Sequence, residues 1–368
     1  MIADPIKIIE FLVNPKSIIM KFTNHGFRWM IIGIINLLSF NICQAQSLKK
    51  FSFTQSKMGS PFTITLYDVD SAKAVTTTHR AFALVDSLIM IFSDYEESSE
   101  LNRLSASAGL EKWVSVSPAL FDILQLSKEA SIKSEGMFDI TIGPVVKLWR
   151  VSRKEKKLPD DSSLRQSLAL VGHQYILLDT TLKKVKLLKP GMRLDLGGIA
   201  KGYIAQEVVD FLNAAGITYA LADAGGDLAM SEPPPGKQGW TIAINAPESK
   251  NNMVGKMLSL KNQAVATSGD VYQYLFFKGK KYSHIIDPRT GLGSTQQRNV
   301  TVIATSGAQA DWLASACSLL PIRKAMRVIR HQRGTALLIM QIKRGKIKTW
   351  QSRHFKKYLL AEKIVTNY

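Results

Sequence analysis

The sequence predicts an α+β protein: mixed, largely antiparallel sheets with helices packed against them. Three observations carry this. Stretches with the two-residue period of strands come in groups, above all between residues 217 and 305. Several neighbouring pairs of them are joined by short polar or glycine turns suited to hairpins. Helical stretches are few and do not alternate regularly with the strands, as a doubly wound sheet would require. With 368 residues, 46% of them hydrophobic, the chain can build one large or two modest cores, which excludes a disordered or fibrous protein.

Residues 1–45 are set apart from the fold as a signal segment, with Met20 the more natural start. Lys21 and Arg28 precede an apolar run from Trp29 to Ile42, too short for an ordinary membrane span, and cleavage fits best after Ala45. The segment therefore predicts export to the periplasm. Lipidation at Cys43 or an uncleaved inner-membrane anchor are the alternatives, although Phe40, Asn41 and Ile42 match poorly the small residues that precede a lipidated cysteine. After cleavage only Cys317 remains; it reads as a small core residue, and no internal disulfide can form. Residues 46–368 are the folded part, with room for two subdomains.

Along that part, "FTITLY" (62–67) alternates Phe62, Ile64 and Leu66 with Thr63, Thr65 and Tyr67, a half-buried strand. Phe82, Val85, Ile89 and Phe92 fall at helical spacing within 79–92. Ser117 as N-cap, Pro118 in the first turn and Gly136 as the stop frame a second helix. A basic loop at 152–163 is expected next, then a hairpin from "QYILLD" and "KVKLL". In the second half, Ile204, Val208, Phe211, Leu212 and Ala215 form a helical stripe closed by Gly216. Strands follow at "ITYALAD", "WTIAINA", "YLFFKGKKYSHIID" (a hairpin turning at Gly279-Lys280) and "RNVTVIAT". Ser306 caps a helix over "SGAQADWLASACSLL", and "TALLIMQIKRGKIKTWQS" is the closing hairpin.

The net charge of +19 is concentrated at the end: residues 323–368 hold 13 Lys or Arg against one acidic residue, contributing about +12. Such a bias suits nucleic acid, an anionic membrane surface or a polyanionic ligand. The plain structural reading is a solvated face, since Ile322, Met326 and Ile329 make one apolar stripe. Nucleic acid is the least favoured partner, because the basic residues are not interleaved with aromatics and the chain is expected to be exported.

Three short stretches could carry chemistry. "DLGGIAKGY" (195–203) has neither the glycine spacing of a dinucleotide fingerprint nor the Gly-Lys-Ser/Thr of a P-loop. Gly197 and Gly198 before a helix start nonetheless allow close backbone approach to an anion, with Asp195 and Lys201 beside them; an ordinary glycine turn is the favoured reading of this stretch alone. "SHIIDPRTG" places His284, Asp287 and Arg289 at a strand end, where a surface proline turn is the ordinary reading. Asp311 and Ser315, four apart on a helix, share a face. With a backbone carbonyl they would make an all-oxygen set for a hard cation such as Mg²⁺; an aspartate favoured by the helix dipole reads as well.

Taken in order, "MGSPFTITLYD", "SDYEESSELNRLSA", "GMFDITIGPV", "LDLGGIAKGYIAQEV", "ADAGGDL", "ATSGD", "SHIIDPRTG", "VTVIA" and "ADWLASA" resemble the FAD:protein FMN transferases, the ApbE or thiamin-biosynthesis lipoprotein family. The resemblance runs over about residues 52–365 and implies an ApbE-like fold. It also implies cleavage of FAD, attachment of FMN through its phosphate to a Thr or Ser of a target electron-transfer protein, and release of AMP. It further implies Mg²⁺ held by Asp311, Ser315 and backbone oxygens of Gly198 and Ala314. Serine stands at 315 where the family often has threonine, keeping the ligating oxygen. The flavin contacts it implies are Met58, Tyr95, Met137, Phe138, Asp139, Asp195, Lys201 and Ile286. His284 is then the candidate for proton transfer, since imidazole titrates near neutral pH, with Asp287 orienting it or reaching the metal. FAD pyrophosphatase and non-catalytic flavin binding are the alternative functions. The implied partner is an acceptor flavoprotein with a Ser/Thr flavinylation motif, and a membrane surface is a further candidate.

Overall fold

β1 (Lys49–Lys57) and β2 (Ser60–Asp68) pair antiparallel along their whole length, Lys49 opposite Asp68 and Lys57 opposite Ser60. Their two-residue turn, Met58-Gly59, has φ of +50° and +70°, the left-handed pair that a tight hairpin needs. The predicted alternation in β2 holds: Phe62, Ile64 and Leu66 are fully buried. This computed structural model describes residues 47–245, 254–269, 274–343 and 346–360, so the expected signal segment lies outside the described residues.

Helix α1 (Ser71–Phe92) starts earlier than the periodic stretch, because Asp70 caps it by accepting the N–H groups of Ala72 and Lys73. After α2 (Glu100–Ala106) and the short β3 (Val114–Ser115), α3 (Pro118–Lys133) has the expected frame. Ser117 Oγ accepts from Leu120 N–H, and Gly136, at φ +76°, donates back to Ser131 O at 2.8 Å. The basic loop expected at 152–163 is replaced by the end of α4 (Gly143–Glu155) and the start of α5 (Asp161–Leu168). Val145, Trp149 and Ser152 give α4 a buried face at helical spacing, and the Asp160 carboxylate caps α5 through Ser163 N–H. β4 (Ile176–Asp179) and β5 (Lys184–Leu187) form the predicted hairpin, with β3 added on the far side of β5.

The second half contains α6 (Ala200–Ala214), β6 (Tyr219–Ala224), β7 (Leu228–Met230), β8 (Trp240–Asn245), β9 (Val254–Leu260) and β10 (Gln263–Gly269). β11 (Tyr274–Phe277) and β12 (Lys280–Ser283) follow, then β13 (Arg298–Ala304), α7 (Gly307–Leu319), α8 (Ile322–Arg330), β14 (Ala336–Lys343) and β15 (Lys346–Gln351). The β11–β12 turn is Lys278-Gly279, one residue before the expected position, since both of these residues take positive φ.

Eight strands make one antiparallel sheet in the order β1-β2-β6-β7-β10-β13-β14-β15. Both of its faces are covered. On β13 and β14, Val300, Val302, Leu337 and Ile339 face the helical side, packed with residues of α1, α3, α6 and α7. Ile303, Leu338 and Met340 face the other side, where Trp240 of β8, Leu258 of β9 and Phe355 close a second core. The described residues from Leu48 onward form one compact unit.

Helix α7 is buried almost all round, unlike the amphipathic helices beside it. It crosses α6 at backbone contact: a Cβ placed on Gly202 would lie 2.1 Å from Gly307 O, and one on Gly307 would lie 1.9 Å from Gly202 O. Only two facing glycines permit this approach. It brings the start of α6, with Lys201, against the first turns of α7, with Asp311; Ser315 follows one turn later.

Candidate functional site

A cavity of about 1230 Å³ opens between the helix starts, the Met58-Gly59 turn, the "AGGD" turn and the loop after β12. It exceeds the usual range for drug-sized ligands and can take a dinucleotide-sized one. Residues from widely separated stretches line it: Met58, Tyr95, Met137, Phe138, Asp139, Asp195, Gly198, Lys201, His284, Ile286, Asp311 and Ser315.

Asp311 is held on buried α7, where its Oδ2 accepts the Gly202 N–H at 3.1 Å. One turn further on lies Ser315, and a side-chain carbon on Gly198 would come within 2.9 Å of Ser315 Oγ. The bare Gly198 backbone thus lies against the hydroxyl, and the Asp311 carboxylate, the Ser315 hydroxyl and the Gly198 carbonyl are all oxygen donors. Such a set fits Mg²⁺ by its chemistry. Among the described residues no group of three His, Cys, Asp or Glu is placed to hold a metal, so the hydroxyl and backbone oxygens are needed to complete a set here.

Burial pushes the Asp311 carboxyl up to about 7, against the lowering pull of Gly202 N–H and Lys201. Asp227, between β6 and β7, also lines the cavity. Its carboxyl is raised well above the ordinary range by burial first and the Asp311 charge second. Lys201 is the cation acting on Asp223, Asp227 and Asp311. Burial thus favours the neutral forms of these carboxyls, and a divalent cation among them would favour the ionised ones.

Two expected roles are not supported by placement. Asp287 lies outside the cavity lining, and its carboxylate grips the Arg289 guanidinium at 3.0 and 2.6 Å while accepting Arg289 N–H at 2.9 Å. It braces the Pro288 turn, which projects the neighbouring His284 and Ile286 into the cleft. Ala314 is buried outside the lining as well, and its carbonyl accepts the Ser318 hydroxyl at 2.8 Å. A helix carbonyl spent on its own helix is a poor candidate ligand. Asp139 does line the cavity, but its oxygens accept from Thr141 N–H, Thr141 Oγ1 and His173 N–H, so the carboxylate fastens the loop after α3.

The apolar side is built by Met137, Phe138 and Ile286, all buried, with the Phe138 ring 6.3 Å from that of Trp312. Asp94, Tyr95, Arg150 and Asp195, clustered around the Arg150 guanidinium, also line the cavity. Asp94 and Arg150 were not singled out from sequence; the acidic "SDYEESS" and the α4 periodicity were the available signals, but nothing in either indicates that they meet.

Asp195 Oδ1 accepts Gly197 N–H at 2.8 Å. Burial, then the Asp94 charge, push its carboxyl up to about 6. The folded chain therefore holds a proton there at pH values where the unfolded chain has lost it, so stability falls as pH rises from about 4 to 6. Asp195→Asn should flatten that part of the pH–stability curve, gaining at most about 3 kcal/mol over the parent by pH 7. Denaturant melts between these limits check this, and parallel curves for the two proteins would refute it.

Comparison with known proteins gives a consistent result. A sequence model of the ApbE family matches residues 58–339. An FAD:protein FMN transferase of Klebsiella pneumoniae (strain 342) is 34% identical over 284 residues, covering 77% of this chain and 86% of that protein. One from Escherichia coli (strain K12) is 29% identical, covering 83% and 88%. Among solved structures, the flavin transferase ApbE from Vibrio cholerae superposes with a TM-score of 0.76 at 25% identity, over 85% of this chain and all of that one. The apo flavinyl transferase ApbE of Pseudomonas stutzeri gives 0.74 at 26% identity, over 86% and 98%.

Proposed function

The chain belongs to the ApbE family, and on that footing we propose that it is a Mg²⁺-dependent FAD:protein FMN transferase. The hydroxyl oxygen of a Thr or Ser on an acceptor protein attacks the FMN-side phosphorus of FAD. A new P–O bond joins FMN to the acceptor, the pyrophosphate P–O bond breaks, and AMP leaves with the bridging oxygen. The observation that carries the reading is one cleft holding an all-oxygen set, Asp311, Ser315 and Gly198, together with His284 and an apolar wall.

Asp311, Ser315 and the Gly198 carbonyl would hold Mg²⁺, which supplies charge neutralisation on the pyrophosphate. Lys201 adds a fixed positive charge beside the same carboxylates, favouring the anionic substrate. Met137, Phe138 and Ile286 exclude water and offer apolar surface to the flavin. His284, the first residue after β12 and exposed at the cleft, takes the proton of the attacking hydroxyl.

Two experiments test this. An acceptor protein with a Ser/Thr flavinylation motif, incubated with FAD and Mg²⁺, should gain the mass of an FMN ester while AMP appears; AMP without an adduct would make the chain a pyrophosphatase instead. His284→Gln should lower adduct formation by roughly 10²- to 10³-fold while FAD binding stays within about threefold. An unchanged rate would remove His284 from the proton transfer. We further propose that the protein works in the periplasm, exported by its N-terminal segment, with the basic C-terminal part facing an anionic membrane; fractionation of cells producing the full chain, and salt-dependent binding to anionic vesicles, test these in turn.

A further inference from the structure

On α4, Val146, Trp149, Arg150 and Arg153 recur at helical spacing and line the cavity from one side. Trp149 is buried against the β11–β12 hairpin, its ring 6.1 Å from that of Tyr282. Arg150 reaches across the rim. One of its terminal nitrogens lies 2.5 Å from Asp94 Oδ2 and 3.4 Å from Asp195 Oδ2. Its guanidinium carbon stands 3.8 Å over the centre of the Tyr95 ring. One side chain thus ties together the loop after α1, the glycine loop before α6 and α4 itself.

The arrangement has two physical consequences. Asp94 and Asp195 are carboxylates on the same rim, and without a cation between them they would repel each other and any dinucleotide carrying a pyrophosphate. Tyr95 is 74% exposed, an unusual position for a ring that is to meet a planar ligand. With one face under the guanidinium, the ring has a set orientation and its other face is open. A lysine could replace the charge but not the flat stacking surface.

We propose that Arg150 is a positioning residue for FAD: it offsets part of the negative charge of the Asp94–Asp195 pair, so that an anionic dinucleotide meets less repulsion, and it presets Tyr95 to receive a planar ring of that ligand. This rests on the transferase reading for the identity of the ligand. Arg150 need not touch the reacting atoms; it acts through Tyr95 and through the charge of the rim.

The test measures FAD binding directly, by quenching of flavin fluorescence, beside the kinetics of AMP release, for the folded chain with Mg²⁺. Arg150→Gln should raise both the Kd and the KM for FAD about tenfold, with kcat changed less than about threefold. The Kd defect should shrink at high ionic strength, where rim repulsion is screened. Arg150→Lys should recover only part of the loss. In a cycle with Tyr95→Leu, the two changes should be non-additive, the double variant losing less than the product of the single losses. A Kd within twofold of the parent in Arg150→Gln, full rescue by lysine, or a fall in kcat at unchanged KM would each overturn the proposal. If the parent binds FAD but forms neither AMP nor adduct, the transferase reading fails while the Kd comparison still decides the role of Arg150. A parent that does not bind FAD overturns both.

Discussion

Asp311→Asn is expected to cut FAD turnover by roughly 10³-fold or more, about 4 kcal/mol of transition-state stabilisation, while leaving the fold intact. The amide oxygen can still accept Gly202 N–H, and the side-chain volume is unchanged, so the contact at 3.1 Å survives. What is lost is the anionic oxygen, and with it the charge that would hold a divalent cation. The stability sign separates this from simple unfolding. The Asp311 carboxyl is raised to about 7, chiefly by burial, so above that pH the metal-free parent must carry a buried charge that the amide does not. In chelator at pH 8 the variant should therefore melt at or above the parent temperature, and Mg²⁺ should stabilise only the parent. Turnover within tenfold of the parent, or equal Mg²⁺ stabilisation of both proteins, would remove Asp311 from the metal site.

Gly202→Ala is expected to have the largest effect on the fold. Helix propensity alone favours alanine by about 1 kcal/mol inside a helix. The new methyl, however, would stand 2.1 Å from Gly307 O and 2.8 Å from the Asp311 Cβ. The first is a backbone atom, so relief requires α6 and α7 to move apart, and overpacking of this kind costs about 3 kcal/mol or more. The clash wins, for a net loss of about 2 kcal/mol or more. Activity should fall with it, because the same shift carries Asp311 away from Gly198. Denaturant unfolding together with AMP release measures both; a variant as stable as the parent would mean that the helices do not cross at backbone contact.

Each of these effects depends on a contact that no local pattern announces. "DLGGIAKGY" and "SGAQADWLASACSLL" each read clearly as a helix start, and the cap at Ser306 and the stop at Gly216 are where sequence places them. Gly202 and Gly307 carry no local signal of their role, since a lone glycine in a helix has many explanations. The reason for them is the other glycine, more than a hundred residues away. Asp94 and Arg150 are similar: neither stretch carries a local sign of the other, yet Arg150 pairs with Asp94 while lying over Tyr95. Asp287 runs the other way. Its place beside His284 in sequence suggested a shared task, but its carboxylate bonds Arg289 two residues on, and it is outside the cavity lining.

By itself, then, the sequence determined the fold class, most of the strands and principal helices, the caps that frame them, and the oxygen-rich chemistry of Asp311 and Ser315. These follow from periodicity, turn residues and side-chain type, which act over a few neighbouring positions. Only the tertiary structure decided that both faces of the eight-stranded sheet are covered, that α7 is buried almost all round, and which charged groups share one cavity. These depend on how closely remote segments approach, and that distance is set by packing across the whole core: two missing side chains at the α6–α7 crossing set the place of Asp311, and one guanidinium at the rim sets the place of Tyr95.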